Sequence, residues 1–337
     1  MWGLLAEFPF NDDASRSVAF SLILSLVVRP AVAPAVPLHI ANAPEGGTGK
    51  SYLFDLVSVI AMGEVCPAIA RSPSPEETEK RLIGAALDGQ PLISVDNCNG
   101  ELRSEFLCQA IERPLVKPRP LGTSKMPLIP NSFVCGANGN NIEIAEDLVR
   151  RTLRCSLDAN LEEPDRRKFK RDPVREVLAD RGRYIAAALT VVRAYIVAGM
   201  PEPPPFASFG PWSDKVRGSL MWLGQADPVD TVSQLASVDP AREQRGTVFA
   251  AIASVAGGWP NGFTVNELAR KSETELALRT ALETVARGKT DATAAISNER
   301  LGWWLRRNDN RIAGGFKLTR GEERGKAALW YVAPAGQ

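Results

Sequence analysis

The chain has 337 residues, of which 45% are hydrophobic and 23% charged, and its net charge is +1. This length is too great for one ordinary hydrophobic core and predicts two or three domains. The near-neutral charge excludes binding of nucleic acid through a global excess of positive charge, so any basic surface must be local. The single histidine, His39, excludes a His-rich metal site, and five cysteines without a C-x-x-C pair indicate buried thiols in a reducing cytosol.

The first element is an apolar helix. The pattern over residues 12–28 predicts a buried amphipathic helix, because the apolar run is too short to span a membrane and is closed by Arg29-Pro30. No secretory signal precedes it, which predicts a cytoplasmic protein without membrane contact. Met1-Trp2-Gly3 leads directly into helical pattern, so we expect this chain to be a piece of a longer protein.

Strands and helices then alternate as far as residue 158. We predict helices over 51–62, 75–87 and 102–111, and strands over 37–41, 66–70, 91–95, 132–137 and 152–157. This alternation predicts an α/β domain with a parallel sheet. The composition shifts after Asp158, and helical patterns separated by a Pro-rich break follow. The predicted domains are therefore an α/β core with the N-terminal helix over 1–158, a helical lid or linker over 159–238, and a C-terminal unit over 239–337.

A glycine-rich turn connects the first strand to the next helix. The predicted phosphate-binding residues are Pro44, Glu45, Gly46, Gly47, Thr48, Gly49, Lys50 and Ser51. They match the pattern G-x-x-x-x-G-K-[ST] except at the first position, Pro44, where glycine mainly shapes the turn. Glycines let backbone N–H groups surround phosphate oxygens at the positive end of the helix. Lys50 is predicted to reach the β and γ phosphates of ATP, and Ser51 to bind Mg²⁺.

A second acidic position fits the same chemistry. Asp96 ends the buried run 92–95, where a carboxylate can hold the water shell of Mg²⁺ beside Ser51. The spacing from Lys50 to Asp96 predicts one more strand in the sheet. It would lie between the strand that precedes the phosphate loop, residues 44–51, and the strand that ends at Asp96. The next residue is Asn97, whose amide can orient water but cannot accept its proton. Hydrolysis is therefore slow, or another group polarises the water, with Glu101 as a candidate.

Two further sites follow along the chain. Asn140, or secondarily Asn138, ends the strand over 132–137 and is expected to contact the γ-phosphate or the attacking water. Arg150 and Arg151 precede the next strand. Either could be an arginine finger that reaches the nucleotide bound by a neighbouring subunit, and the sequence does not show which of the two it is. The alternative for the arginines is a solvated basic helix end.

A basic segment lies before the strand over 132–137. Residues 113–126 have two flanks around a glycine turn and carry four basic side chains without an acid. A hairpin inserted there would point into the pore of a ring, where Lys117, Arg119 and Lys125 would meet a phosphate backbone. A solvated loop is the alternative interpretation.

The C-terminal unit is expected to be a winged helix. Residues 297–332 indicate a helix followed by a hairpin with strands at 316–318 and 328–332 and its tip at 321–325. Eight basic residues oppose three acidic ones over 300–326. The predicted DNA contacts are Arg306, Arg307, Arg320, Arg324 and Lys326. Trp303 and Trp304 are expected in the core, and a role of this unit in protein contacts stays open.

Taken together, the motifs at residues 46–51, 93–97, 139–141 and 147–151 carry a family resemblance. The chain resembles the helicase module of bacteriophage and mobile-element primase-helicase proteins, near the superfamily III AAA+ helicases. It also resembles replication-initiator helicases of staphylococcal mobile islands in architecture. Pro44 and Asn97 depart from the general AAA+ pattern, in which a glutamate usually follows the aspartate.

The resemblance implies an ATP- and Mg²⁺-dependent hexameric ring that translocates on single-stranded DNA and unwinds duplex. It implies a primase or other domain before Met1, and a helical lid with a nucleotide-sensing arginine, for which Arg217 is the candidate. Two alternatives remain: an AAA+ initiator or loader that remodels DNA without processive unwinding, and an ATP switch that acts on protein partners.

Overall fold

The computed structural model describes residues 1–32, 35–72, 74–119, 126–237, 240–256, 262–287, 296–325 and 327–335. The chain divides into two compact units, Met1–Ser237 and Val238–Gln337. The predicted segment 159–237 thus lies in the same unit as the sheet. Within the described ranges, no helix has the length and apolar character needed to cross a membrane.

The first unit alternates helices and strands through most of its length. Its elements are α1 (Asp13–Val27), β1 (Leu38–Ala43), α2 (Lys50–Met62), β2 (Ala68–Ala70), α3 (Pro75–Leu87), β3 (Leu92–Asp96), β4 (Glu101–Leu102), α4 (Glu105–Ala110), β5 (Leu115–Val116), β6 (Ile129–Pro130), β7 (Val134–Asn140), β8 (Glu143–Ile144), α5 (Glu146–Val149), β9 (Thr152–Ser156), α6 (Pro173–Ala179), α7 (Arg181–Val197), α8 (Gly210–Trp212), α9 (Gly218–Trp222) and α10 (Asp230–Ser237). A π-helical turn, Ser213–Arg217, joins α8 to α9, and 3₁₀ turns lie at Trp2–Leu5, Arg29–Ala31 and Pro164–Arg166.

Five of these strands form one parallel sheet in the order β2-β3-β7-β1-β9. The predicted α/β class is therefore confirmed, and the arrangement is compatible with a P-loop-like fold. A strand does lie between β1 and β3, as predicted, but it is β7, which follows Asp96 in the chain. The strand between Lys50 and Asp96, β2, lies on the other side of β3. Because all five strands run the same way, the carboxyl ends of β1, β3 and β7 meet at one edge of the sheet.

One predicted helix is shorter than expected. The pattern over 102–111 forms a helix only at Glu105–Ala110, where the Ser104 hydroxyl accepts a hydrogen bond from the Leu107 amide at 3.2 Å. The residues before it pair with a distant segment instead, since Glu101–Leu102 lies parallel to Glu143–Ile144. Strand pairing has overridden the local helical pattern there.

Helices cover both faces of the sheet. One core lies between the sheet and α1, α2 and α7, and the other lies on the side of α3 and α4. His39, on β1, is buried in the first core; its Nε2 is 3.0 Å from the Ser21 hydroxyl and its Nδ1 is 2.9 Å from the Pro37 carbonyl oxygen. Burial lowers the pKa of His39 to about 4. The sheet strand that carries the phosphate loop is thus fixed by interior contacts.

The second unit combines four helices with a small sheet in its described part. Its elements are α11 (Pro240–Ala256), α12 (Val265–Lys271), α13 (Leu276–Ala286), α14 (Asn298–Arg307), β10 (Ile312–Ala313), β11 (Phe316–Arg324) and β12 (Ala327–Pro334). The strands form an antiparallel sheet in the order β10-β11-β12. Its core contains Phe249, Leu282, Leu305 and Trp330.

Two predictions for this unit need correction. The hairpin strands are longer than 316–318 and 328–332, because pairing continues past an irregularity between Arg320 and Glu323 as far as Arg324 and Ala327. Trp304 packs edge-on against Phe249 at 5.9 Å, but Trp303 is 56% exposed. Adjacent residues of a helix point about 100° apart, so only one of the two tryptophans reaches the core.

Candidate nucleotide site

The phosphate loop leaves the carboxyl end of β1 and enters the first turn of α2. Gly47 and Gly49 have φ values of +73° and +100°, a region that glycine adopts without a steric penalty. Gly49 is also the N-cap of α2 and makes no side-chain capping bond, so the first amides of this helix are not capped by a side chain. This is the geometry that can receive phosphate oxygens at a helix N-terminus. Pro44 lies at the exposed start of the loop.

Lys50 is turned toward its own loop. Its Nζ donates to the Glu45 carbonyl oxygen at 2.8 Å and to the Thr48 hydroxyl at 3.1 Å. The side chain is buried, and this burial lowers the pKa of its ammonium group. A partly desolvated cation beside a ring of glycines is well suited to an anionic oxygen, because the Coulomb attraction is larger where water is excluded.

Three oxygen-bearing side chains meet beside Lys50. The Ser51 hydroxyl lies 3.0 Å from an Asp96 carboxylate oxygen and 3.3 Å from the Asn138 amide oxygen. Serine, carboxylate and amide oxygens are the donors that Mg²⁺ accepts, with water completing its octahedron. The residues present therefore fit this metal. The described residues contain no cluster of three or more His, Cys, Asp or Glu side chains that would suit another metal.

These residues line a cavity of about 440 Å³, which we call the polar cavity. It is bounded by Gly46, Gly47, Gly49, Lys50, Ser51, Tyr52, Asp96, Asn97, Asn138, Gly139 and Asn140. Among the described residues, Asp96 is the one carboxylate that lines it. The suggested substitute base, Glu101, does not line it: Glu101 is exposed on β4 and pairs with Arg103 at 3.1 Å, because its strand pairing directs it elsewhere.

A tight turn after Asp96 brings Asn97 to this cavity. Asn97 has a φ of +52°, and the Cys98 amide donates to the Asn138 carbonyl oxygen at 2.8 Å. The Cys98 backbone lies so close to Gly139 that no Cβ atom fits there. Asparagine tolerates the left-handed conformation better than most residues. The turn thus holds Asn97 at the same edge of the sheet as Asn140, the residue predicted to contact the γ-phosphate or the attacking water.

The two arginines before β9 differ in their surroundings. Arg151 is mostly buried and donates to both carboxylate oxygens of Glu112, at 2.7 Å and 3.0 Å. These hydrogen bonds raise the pKa of its guanidinium. Arg150 is exposed, and neither arginine lines the polar cavity of its own chain. The structure therefore distinguishes two residues that the sequence left equivalent.

Arg217 is buried in the helical region and not beside the phosphate loop. Its Nε donates to Asp227 at 2.8 Å and a second nitrogen donates to the Pro204 carbonyl oxygen at 2.6 Å. Its guanidinium also lies 6.0 Å from the centre of the Phe206 ring. Because a buried arginine needs its partners, Arg217 is committed to this packing, and the prediction that it contacts nucleotide finds no support in its position.

A second cavity adjoins the phosphate loop on its other side. This aromatic cavity measures about 410 Å³ and shares Gly47, Gly49 and Tyr52 with the polar cavity. Its walls are Glu7, Phe8, Gly47, Thr48, Gly49, Tyr52, Asp165, Phe169, Arg171, Asp172 and Pro173. No local pattern in the sequence indicates this cavity, since Phe8 and Phe169 lie far apart in the chain and belong to no motif.

Specific contacts hold the walls of the aromatic cavity together. The Glu7 carboxylate accepts hydrogen bonds from the Lys170 and Arg171 amides at 3.1 Å and 3.3 Å. The Tyr52 hydroxyl donates to Asp172 at 2.7 Å, and burial raises the pKa of this phenol to about 12. A Cβ atom at Gly47 would lie 2.8 Å from the Asp165 backbone nitrogen. An aromatic cavity this close to a phosphate site suits a flat nitrogen heterocycle.

The predicted DNA contacts are distributed over both units. Lys117 and Arg119 are exposed beside β5, which pairs antiparallel with β6, while Lys125 lies outside the described residues. In the second unit Arg306 and Arg307 are exposed on α14.

The hairpin positions of the second unit are partly engaged. Arg320 lies 3.4 Å from Glu323, Arg324 pairs with Glu267, and Lys326 lies outside the described residues. These ion pairs are exposed and stabilise the fold little, so both arginines can exchange their partner for a phosphate.

No protein-family model and no curated protein matches the chain. Among solved structures it is similar to the apo C-terminal region of NrS-1 (305–718), with 16% identity over 55% of this chain and 42% of that one and a TM-score of 0.36. Another structure of that region gives 12% identity over 97% of this chain and 77% of that one, with a TM-score of 0.41.

A third structure, Cch of SCCmec type IV, is described as an active helicase. It is 11% identical over 78% of this chain and 55% of that one, with a TM-score of 0.33. The chain thus spans under half of the first structure's length. With TM-scores below 0.5, these likenesses do not decide a function, which has to be argued from the site.

Proposed function

We propose that this chain is an ATPase that uses Mg²⁺ and couples hydrolysis to movement of single-stranded DNA. The observation that carries the proposal is the convergence of Lys50, Ser51 and Asp96 at one edge of a parallel sheet, with Ser51 hydrogen-bonded to Asp96. The aromatic cavity on the other side of the loop would hold the base. A triphosphate would thus extend from the aromatic cavity into the polar cavity.

Several residues of the polar cavity have a role in the proposed reaction. Lys50 neutralises charge on the β and γ phosphates, and the amides of the glycine loop hold their oxygens. Ser51 and Asp96 would hold Mg²⁺, with Asn138 beside them, and the ion would supply positive charge that offsets the charge of the phosphate oxygens. Asn140, at the end of β7, lies where it can contact the γ-phosphate. Stabilisation of charge and alignment of water account for most catalysis in phosphoryl transfer.

The exposed Arg150 supports a ring of identical subunits, with six as the proposed number. An arginine supplied by a neighbouring subunit typically increases the rate by about 10³–10⁵-fold. Arg151 holds the segment through Glu112, so that Arg150 can face outward.

Lys117 and Arg119 would face the DNA strand in the pore. We place such a motor in the cytoplasm of a bacterial or phage-infected cell.

The second unit is proposed to bind DNA at a fork as a winged helix. Its support is a helix followed by a long antiparallel hairpin, with Arg306 and Arg307 exposed on α14. The Arg307 guanidinium lies 5.3 Å from the centre of the exposed Trp303 ring. An exposed tryptophan beside arginines can stack on an unpaired base.

The test is the rate of ATP hydrolysis with and without single-stranded DNA, with Lys50→Ala as the blank. We expect DNA to stimulate the wild-type rate, and Lys117→Ala and Arg119→Ala to reduce this stimulation while leaving the basal rate unchanged. Lys168→Ala, at an exposed lysine outside the basic segment 113–126, is the matched control. A measurable rate that ignores DNA would exclude the motor for this chain.

One observation favours a second function. Since Asp96 is the one carboxylate among the described residues that line the polar cavity, the chain offers no second carboxylate there as a base. An ATP switch that binds the nucleotide and hydrolyses it slowly, acting as an initiator, loader or protein-interaction module, would need none. Tight ATP binding with slow turnover that DNA does not stimulate would favour this alternative.

A further inference from the structure

Three asparagine residues form a hydrogen-bonded chain at the edge of the polar cavity. The Asn140 backbone N–H donates to the Asn99 amide oxygen at 3.3 Å, and the Asn99 amide nitrogen donates to the Asn97 amide oxygen, also at 3.3 Å. Asn97 and Asn140 line the cavity, whereas Asn99, an exposed residue on the loop that follows β3, does not. Asn99 belongs to none of the recognised motifs.

The chain of bonds has only one direction. A backbone N–H can donate but not accept, so the Asn140 amide requires an oxygen from Asn99. The Asn99 amide is therefore oriented with its nitrogen toward Asn97, and Asn97 must answer with its oxygen. The Asn140 backbone N–H can only donate, so it determines the orientation of the Asn99 side-chain amide and, through it, that of Asn97.

The loop that carries Asn99 is itself held in place. The Arg71 guanidinium donates to the carbonyl oxygens of Asn99 and Glu101, the latter at 3.1 Å. Glu101 pairs with Glu143 in the short parallel ladder of β4 and β8. Asn97 is confined from the other side, since the next residue packs on Gly139. Both ends of the Asn99 segment are therefore fixed relative to the sheet.

We propose that Asn99 is a positioning residue, and that it orients Asn97 to donate its amide NH₂ group to a terminal phosphate oxygen. This inference rests on the proposed function. With its oxygen engaged by Asn99, Asn97 retains two N–H donors at a cavity that Lys50 also lines. Donors suit an anionic oxygen, whereas activation of water requires an acceptor. Asn97 thus recognises the γ-phosphate and does not replace the missing glutamate.

The test substitutes Asn99→Asp and compares the Kd for ATPγS with the Kd for ADP, both with Mg²⁺. An aspartate still accepts from the Asn140 amide but cannot donate to Asn97, so Asn97 must reverse its amide. We expect the Kd for ATPγS to rise about tenfold or more, because the lost bond is to a charged group, while the Kd for ADP stays within about twofold. Asn160→Asp, at an exposed residue of the same unit, is the matched control.

A double-substitution cycle separates orientation from the added charge. In an Asn97→Ala background no amide remains to reverse, so Asn99→Asp should weaken ATPγS binding little further. Repulsion by the new charge would persist in that background. Asn99→Ala, which adds no charge, should raise the Kd for ATPγS less than Asn99→Asp does, because Asn97 can then adopt either orientation.

Three results would overturn the proposal. They are an equal loss of ATPγS and ADP affinity, no loss at all, and an undiminished effect in the Asn97→Ala background. If the wild-type chain binds neither nucleotide, the proposed function itself fails and this inference fails with it. If the wild type binds both and only the variant result is negative, the ATPase proposal stands alone.

Discussion

The two cavities beside the phosphate loop are built in different ways. The polar cavity is formed by side chains at the ends of β1, β3 and β7 and the start of α2, so the parallel sheet brings them together. The aromatic cavity is formed by three segments that are distant in the chain, around Phe8, Tyr52 and Phe169. One cavity is a consequence of strand order, and the other depends on contacts such as those of Glu7.

This difference teaches how a nucleotide site divides its tasks. The positions of charged groups at the sheet edge must match those of the phosphate oxygens, because electrostatic stabilisation depends on preorganised geometry. A base can be held by stacking, which tolerates variation in the ring partners and adds affinity without chemistry. We therefore expect changes in the polar cavity to alter turnover, and changes in the aromatic cavity to alter affinity for all nucleotides alike.

The largest expected effect is that of Lys50→Ala on hydrolysis. Removing the cation should lower kcat by at least about a hundredfold, since it stabilises charge that develops on the phosphates. The affinity for ADP should fall much less, because the aromatic cavity is intact. Steady-state ATPase assays and ADP titrations measure the two quantities. A variant with the wild-type turnover would show that the polar cavity is not the reaction site.

The second effect concerns the position of Arg217. Asp227→Ala should lower the free energy of unfolding of the first unit by about 3 kcal/mol, because it leaves a buried guanidinium without its carboxylate. Urea denaturation measures the loss, and the Asp88→Ala substitution at an exposed position of the same unit provides a comparison. At temperatures where the variant is folded, we expect its ADP affinity to match the wild type. A selective loss of nucleotide binding would restore Arg217 as a nucleotide sensor.

Acid pH should loosen the sheet side of the site through His39. The folded-state pKa of about 4 lies below the usual value of about 6.5, so protonation favours the unfolded chain. Stability is therefore full above pH 6.5 and falls as the pH drops toward 4, by about 2 kcal/mol between pH 7 and pH 5. Because the chain has one histidine, NMR titration of the imidazole reads its pKa directly. A pKa near 6.5 in the folded protein would contradict this.

The smallest effect is expected at the aromatic cavity. Phe169→Ala should weaken ATP and ADP binding equally, by about five- to tenfold, through loss of stacking with the base. Phe169→Trp should preserve both affinities, whereas Trp222→Ala, which removes another partly exposed ring of this unit, should change neither. Fluorescence titration measures the Kd of each variant and of the wild type for ATP and for ADP. A loss confined to ATP would mean that the division between the two cavities is wrong.

The chain patterns predicted the polar cavity more completely than the aromatic one. The glycine loop, Lys50, Ser51 and Asp96 lie in short motifs that adjoin strands, so their spacing alone places them at one sheet edge. Asn99 was missed although it stands two residues from Asn97, because its importance depends on Asn140, which lies 41 positions further along. The winged-helix assignment of the second unit stays a prediction.

The sequence by itself determined the α/β class, the parallel sheet and the phosphate loop, because these follow from hydrophobic periodicity and local motifs. Only the tertiary structure decided which arginine is held and which is exposed, since Glu112 lies 39 positions from Arg151. It also decided the aromatic cavity, in which Tyr52 meets Asp172 across 120 positions. Contacts between segments this distant depend on how the whole chain packs, and no local pattern of residues encodes them.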